Sequence, residues 1–313
     1  MRAGITHAVT AIMTEHVALH HATTYRFDRP VILSAHEIRL KPAAHSRTPV
    51  SAYTLTVEPA LNRIHQQQDV YGNFVARVSF PEPTDILRIT VDLLAELDNI
   101  DPFDFFVETW AERMPFSYPA NMKIGLSPFL LTEPQGLHFE RWRSQIRQEL
   151  SGSVGSIEYL VRTNQALAEK ITYQLRYEHG VQTPEATLEQ LSGSCRDSAW
   201  LLVQTLRQAG IAARFVSGYL IQFAALPAGA TDAETAGLAD LHAWCEAFIP
   251  GAGWIGLDAT SGLLTGTGHI PLAVAAIPES TAPVSGHTAP CTSRFDVCMT
   301  AHLTNRTAQD SHA

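Results

Sequence analysis

The apolar pattern of this chain changes period once, and that change limits what the chain can become. Between His16 and about Glu96 the apolar residues alternate over short windows, as at Ile38 and Leu40 or Leu55 and Val57. A period of two marks strands with one buried face. Five such runs are rich in β-branched and aromatic residues: 17–27, 35–42, 51–59, 73–81 and 87–97. Asp28-Arg29-Pro30, Glu58-Pro59 and Tyr71-Gly72-Asn73 separate them with turn-forming residues. Strands at this spacing, with no helical stretch between them, predict an antiparallel β-sandwich domain over 16–110.

From Ser156 the period becomes helical. Ile157, Leu160, Val161, Asn164, Leu167, Ala168 and Ile171 recur in steps of three and four, with Glu158, Arg162, Gln165 and Glu169 opposite. A second periodic run extends from Cys195 to Ala209 and is closed by Gly210. Strands are expected next at 213–220, Leu241–Ile249 and 254–258. A soft loop at 226–240 separates the first two, and a Pro250–Gly253 turn joins the last two. The class is therefore α+β, with helices packed on an antiparallel sheet over 156–280. Pro115, Pro119, Pro128 and Pro134 interrupt 111–155, which reads as a linker carrying one short helix at 139–150. Residues 1–15 read as an extension. Residues 281–313 read as a tail in which Arg294–Leu303 returns as one strand.

Composition narrows the function classes. The chain has 313 residues, 45% of them apolar and 17% charged, which suits two globular domains and excludes a disordered or fibrous chain. A net charge of −9 supplies no basic field, so neither nucleic acid nor an anionic lipid surface is an expected partner. No apolar run reaches membrane-spanning length, and the first residues lack a signal-peptide core, so a cytoplasmic chain is expected. Four cysteines do not make a disulfide framework; each is core filler or a reactive thiol.

Three segments could carry chemistry. Ser192-Gly193-Ser194 leads into a helix whose first turn holds Cys195, where unpaired N–H groups and the helix dipole favour a thiolate. In Asp240-Leu-His-Ala-Trp-Cys-Glu, the period of two sends His242, Trp244 and Glu246 to one face of a strand and Cys245 to the other. Asp258 closes the next strand, within reach of an imidazole on its neighbour. Taken singly, each has an ordinary reading: a small buried hydrophobe, a satisfied histidine, a turn-former. A metal site is not expected. His242 and Cys245 face opposite ways, Cys291 and Cys298 lack tight zinc-ligand spacing, and the His16, His20, His21 group has no cysteine nearby.

Together the segments GSCRDSAWLLVQTLRQAGIAARFVSGYL and LHAWCEAFIPGAGWIGLDAT closely resemble the core of the bacterial transglutaminase-like superfamily. TTYRFDRPV, HEIRLKP and DVYGNF resemble that family's amino-terminal β domain. The resemblance implies a papain-like cysteine enzyme fold without a cofactor. Cys195 would be the nucleophile, His242 the general base and acid, and Asp258 the carboxylate that orients the imidazole. The implied chemistry is acyl transfer from a peptide or protein amide through a thioester. The acceptor is water, in a protease or amidase, or an amine, in a transglutaminase; a catalytically silent interaction module is the third reading. Hydrolysis is favoured because an amine acceptor needs an apolar tunnel, for which only Trp200 and Trp244 offer walls. The Cys195 N–H is one oxyanion donor, with Tyr173 or Gln174 as candidates for the second. Tyr219 and Trp244 are candidate cleft residues. Asp197, in the first helical turn, reads as structural.

Overall fold

A computed structural model of the chain describes residues 15–97, 100–134, 136–152, 154–223 and 236–304. All but the last residue of the expected extension at 1–15, most of the expected 226–240 loop and the end of the tail lie outside the described residues.

The first part is built of strands β1 (Glu15–Val31), β2 (His36–Ile38), β3 (Val50–Glu58), β4 (Arg63–Gln68), β5 (Phe74–Ser79) and β6 (Thr84–Leu97). Helices α1 (Ala120–Leu126), α2 (Leu137–Glu149) and α3 (Ser156–Lys170) follow, then β7 (Thr172–Tyr173), α4 (Pro184–Gln190), β8 (Ser192–Gly193) and α5 (Cys195–Gln208). The chain continues as β9 (Ala213–Gln222), β10 (Ala236–Ile249), β11 (Gly253–Asp258), β12 (Leu263–Leu264), β13 (His269–Ala275), β14 (Val284–Ser285) and β15 (Ser293–Thr304). This is an α+β fold on antiparallel sheets. β10 begins at Ala236, so the expected loop gives way to strand five residues earlier than the sequence pattern predicts.

Two sheets enclose the amino-terminal core. β1, β6 and β3 belong to a nine-stranded sheet, and β14, β2, β5 and β4 form a second sheet of four. The inward residues of β1 and β6 alternate along each strand; Val17, Leu19, Leu87, Ile89, Val91 and Leu93 are buried between the sheets. That is the sandwich the alternation predicts.

The two expected halves share a sheet and part of a core. β15 runs antiparallel along β1 from Ser293 to Thr304 and also pairs with β10 at Ala236 and Gly237. One sheet therefore runs from the amino-terminal strands into the strands that follow the helices, in the order β12-β11-β10-β15-β1-β6-β3, with β9 and β13 branching from β10. Tyr219, Ile221, Ile270 and Leu272 belong to the same apolar cluster as the amino-terminal strands. The 111–155 stretch is likewise not a bare connector. α2 buries Phe139, Trp142 and Ile146 in the core beneath α5, and Trp142 Nε1 donates to Thr205 at 3.0 Å. Proline breaks helices into short pieces but does not prevent those pieces from packing.

The joint between the two parts holds a buried histidine. His21 on β1 bonds Tyr219 Oη through Nδ1 and Thr23 through Nε2, each at 2.8 Å. Burial, with the nearby His20, lowers its pKa from 6.5 to about 4. The unfolded chain therefore binds the extra proton first, and stability falls as pH drops from about 6.5 towards 4. Replacing His21 with Gln should remove that part of the acid sensitivity. Chemical denaturation at pH 7 and pH 4.5 should show an acid-induced loss smaller by about 2 kcal/mol in His21→Gln than in the parent chain. Equal losses in both would place the acid-sensitive group elsewhere.

Candidate functional site

Cys195 is the first residue of α5, and the turn before it fixes its position. β8 pairs in parallel with β7, setting Tyr173 beside Gly193. The Asp197 carboxylate then takes both the N–H and the hydroxyl of Ser194 at 2.8 Å. It also takes Arg176 Nε at 2.9 Å and the Gln182 N–H at 2.7 Å. Asp197 is fully buried, and these four donors compensate its charge. A Cβ at position 193 would come within 2.8 Å of the Asp197 Cβ, so the turn requires glycine. Arg196 donates to the carbonyls of Arg176 and Glu178. The Arg-Asp pair after the cysteine thus ties the helix start to the 174–182 segment, and the structural reading of Asp197 agrees with this geometry.

α5 itself is an apolar helix driven into the core. Leu201, Leu202, Val203 and Leu206 are fully buried against α2, α3 and the inner face of the sheet. That inner face includes Ala243, Cys245, Ala247 and Ile249 of β10. The alternate residues His242, Trp244 and Glu246 project from the other face.

His242 pairs across to Gly218 on β9. A side chain at 218 would strike the Trp244 ring and the Ile270 carbonyl, so glycine lets the indole lie flat over β9. Trp244 is 1% exposed, and its ring centroid stands 6.4 Å from that of His242. It shields the imidazole from behind.

Asp258 ends β11. Leu257 pairs with Cys245, which leaves Asp258 on the His242 face. Its Oδ1 accepts the Thr260 N–H at 2.9 Å and lies 3.2 Å from His242 Nε2. The two side chains are 10% and 5% exposed. Burial disfavours a charged His242, but Asp258 and Cys195 outweigh it through contact and charge, and its pKa is pushed up to about 10. Burial also disfavours the Asp258 carboxylate. The contacts from His242 and His269 outweigh that as well, holding the carboxyl well below the usual carboxylate range. With Nε2 turned to Asp258, Nδ1 is the nitrogen left for the thiol. A thiol, an imidazole and an ionised carboxylate thus stand in sequence, the arrangement that activates a sulfur nucleophile.

His269 joins this group and was not singled out in the sequence. It opens β13, is 13% exposed, and places Nε2 3.5 Å from Asp258 Oδ2. In the sequence it is one histidine in Gly268-His-Ile-Pro, with no motif around it. One donor atom from each of His242, Asp258 and His269 lies within 4.8 Å of the others, a set of the type that binds divalent metals. The tautomer of His269 opposes that use. Its Nδ1 accepts the Gly266 N–H at 3.4 Å, so a neutral ring carries its proton on Nε2 and faces the carboxylate as a donor.

The other expected residues divide. Tyr173 is beside the nucleophile and 51% exposed; burial and the charges of Cys195 and Asp240 push its phenol up. The Gln174 backbone N–H already donates to the Gly193 carbonyl at 2.9 Å, leaving its exposed side chain. Tyr219 does not line the cleft. It pairs with Leu241, one step out of phase with Gly218 and His242, and so faces the amino-terminal core. Trp200 is buried in α5 against Phe215.

Two family models match parts of this chain. Residues 17–96 match the bacterial transglutaminase-like N-terminal region, and residues 144–259 match the transglutaminase-like superfamily. An uncharacterized protein of Mycobacterium tuberculosis is 26% identical over 273 residues, covering 82% of each chain. One from Mycobacterium leprae is 25% identical over 267 residues, covering 85% of this chain and 90% of its own. Among solved structures, a proposed cysteine protease from Cytophaga hutchinsonii superimposes with a TM-score of 0.62 at 16% identity, over 93% of this chain and 98% of that one. That likeness shows the shared fold.

The four cysteines should differ in reactivity. Cys195 is half-buried at the helix start, Cys298 is exposed, and Cys245 is fully buried with its thiol pushed up by burial. Limiting iodoacetamide near neutral pH, read by peptide mapping, should label Cys195 before Cys298 and leave Cys245 unmodified. Labelling of Cys298 first would mean that the imidazole does not activate the thiol.

Proposed function

We propose that this chain, which belongs to the transglutaminase-like superfamily and has a cysteine-enzyme-like fold, hydrolyses an amide bond of a peptide or protein through a thioester on Cys195. The observation that carries the reading is the alignment of Cys195, His242 and ionised Asp258 within one shielded cluster.

Cys195 sulfur attacks the amide carbonyl, and the carbonyl oxygen gains the negative charge. The Cys195 N–H at the helix start is one donor for that oxyanion; the exposed phenol of Tyr173 is the nearest candidate for a second. His242 gives its proton to the leaving amine as the C–N bond breaks, which leaves the acyl group on sulfur. His242 then takes a proton from water, and the resulting hydroxide displaces the thiolate. Asp258 holds the imidazole tautomer and stabilises its charged form.

Water is the favoured acceptor. Trp200 and Trp244, the tunnel walls the sequence offers, are both buried, and Trp200 packs against Phe215, which supports water over an amine. Four unpaired cysteines suit a reducing, cytoplasmic setting. No helix among the described residues is long and apolar enough to cross a membrane.

Two outcomes follow. Asp258→Asn should keep the fold and lower kcat by about a hundredfold or more, with a smaller change in KM. Because Asp258 raises the His242 pKa, turnover should fall as pH rises through about 10 in the parent chain and at lower pH in Asp258→Asn. The reaction class is read by giving the enzyme a peptide library and a labelled primary amine, with mass spectrometry of the products. Hydrolysis lost in Cys195→Ala supports the proposal; amine incorporation exceeding hydrolysis would make it a transferase on the same three residues.

A further inference from the structure

His269 has no part in the acyl-transfer steps, yet it sits against the carboxylate that those steps depend on. Three contacts fix the residue, two of them on its ring. Nδ1 accepts the Gly266 N–H at 3.4 Å, and the His269 N–H closes the same turn onto the Gly266 carbonyl at 3.1 Å. The third is with Trp244, whose ring meets that of His269 edge-on with centroids 5.3 Å apart at 88°. Trp244 can lie there only because position 218 lacks a side chain. A ring fixed in this way presents Nε2–H to Asp258 Oδ2 at 3.5 Å.

A donor then stands at each carboxylate oxygen. Oδ1 accepts from Thr260 and faces His242, and Oδ2 faces His269. A carboxylate held at one oxygen can still turn about its Cβ–Cγ bond, and turning carries Oδ1 away from the imidazole. Neither Nε2 has a well-aligned hydrogen bond to the carboxylate. Such bonds are often long before substrate arrives and tighten in the complex.

We propose that His269 is a positioning residue, holding the second oxygen of Asp258 so that the first stays aimed at His242. The proposal rests on the reading of Asp258 as the orienting carboxylate. In this role His269 acts through Asp258 and not on the substrate or the sulfur. Among the described residues, the titratable groups placed around His242 are Cys195 from α5, Asp258 from β11 and His269 from β13, with Asp240 two residues back on the same face of β10 and Tyr173 beside Cys195; beyond Trp244, Glu246 pairs with His45 and with Arg214.

Two effects of removing His269 have opposite signs. A donor that merely competes for the charge of Asp258 would, on removal, leave His242 protonated to higher pH. A donor that positions Asp258 would, on removal, let the carboxylate turn away, and His242 would lose its proton at lower pH. The sign of the shift separates the two.

The test measures the iodoacetamide alkylation rate of Cys195 from pH 5 to 11 by peptide mapping, which needs no known substrate. The chains are the parent, His269→Ala, His269→Gln, Asp258→Asn and the double variant His269→Ala/Asp258→Asn, with thermal unfolding checked for each. His269→Ala should slow alkylation at pH 7 about tenfold and shift the His242 limb to lower pH. His269→Gln, whose amide can donate at similar reach, should restore most of the rate. The double variant should be no slower than Asp258→Asn alone, because both changes remove one interaction.

A limb shifted to higher pH, additive losses in the double variant, or an unchanged rate in a folded His269→Ala would each overturn the proposal. So would protection of Cys195 by zinc ion that depends on His269, since Nε2 would then be a ligand and not a donor. If Asp258→Asn itself leaves alkylation unchanged, the triad reading fails first and the role of His269 falls with it. If Asp258→Asn slows the reaction and His269→Ala does not, only the positioning role is lost.

Discussion

The register of β10 is the constraint on which the site depends. This strand pairs with β9 over ten residues, from Leu238 to Ala247, while its other edge is shared by β15 near its start and β11 near its end. A slip of one residue would turn Cys245 outward and drive His242 into the core beneath α5. Two devices hold the register on the outer face. Trp244 lies over Gly218. Glu246 is bonded to Arg214, directly across from it, at 2.7 Å, and the Arg214 guanidinium stacks 4.1 Å from the Trp254 ring. Glu246 and Arg214 are both buried, and breaking such a pair from one side costs about 3–5 kcal/mol.

The same strand connects chemistry to architecture. Its inner face anchors α5, whose first residue is Cys195, so thiol and imidazole are positioned by opposite faces of one strand. Its neighbour β9 points Tyr219 into the amino-terminal core, where the phenol meets His21. The β region is therefore continuous in packing with the site, through shared sheet and shared core.

Much of this was legible in the sequence, for identifiable reasons. Period-two runs gave the sandwich strands because one face of each is buried and the other is not. The Cys195 helix was visible because its apolar stripe is long and Gly210 ends it. The faces of His242 and Cys245 followed from alternation alone. What stayed hidden depends on distance in the chain. β15 closes the sheet against β1 across 288 residues at Thr304 and His16, and no local pattern encodes that pairing. Prolines made 111–155 look like a linker, although α2 buries an apolar stripe of its own. Tyr219 reads as a cleft residue because it lies in the segment that carries the family resemblance, but its phase in β9 sends it the other way. His269 left no signal, since one histidine at a strand start has no spacing to reveal what it faces.

The central claim is that Cys195 becomes acylated with His242 as its partner. It is tested most directly by pulsing the protein with p-nitrophenyl acetate near neutral pH, quenching in acid and mapping the acyl group by mass spectrometry. The account predicts a single acetyl on Cys195 in the parent chain, much slower acetylation in His242→Ala, and none at that site in Cys195→Ala. Acetyl found first on Cys298 or on a lysine, or acetylation of Cys195 at an equal rate without His242, would contradict it.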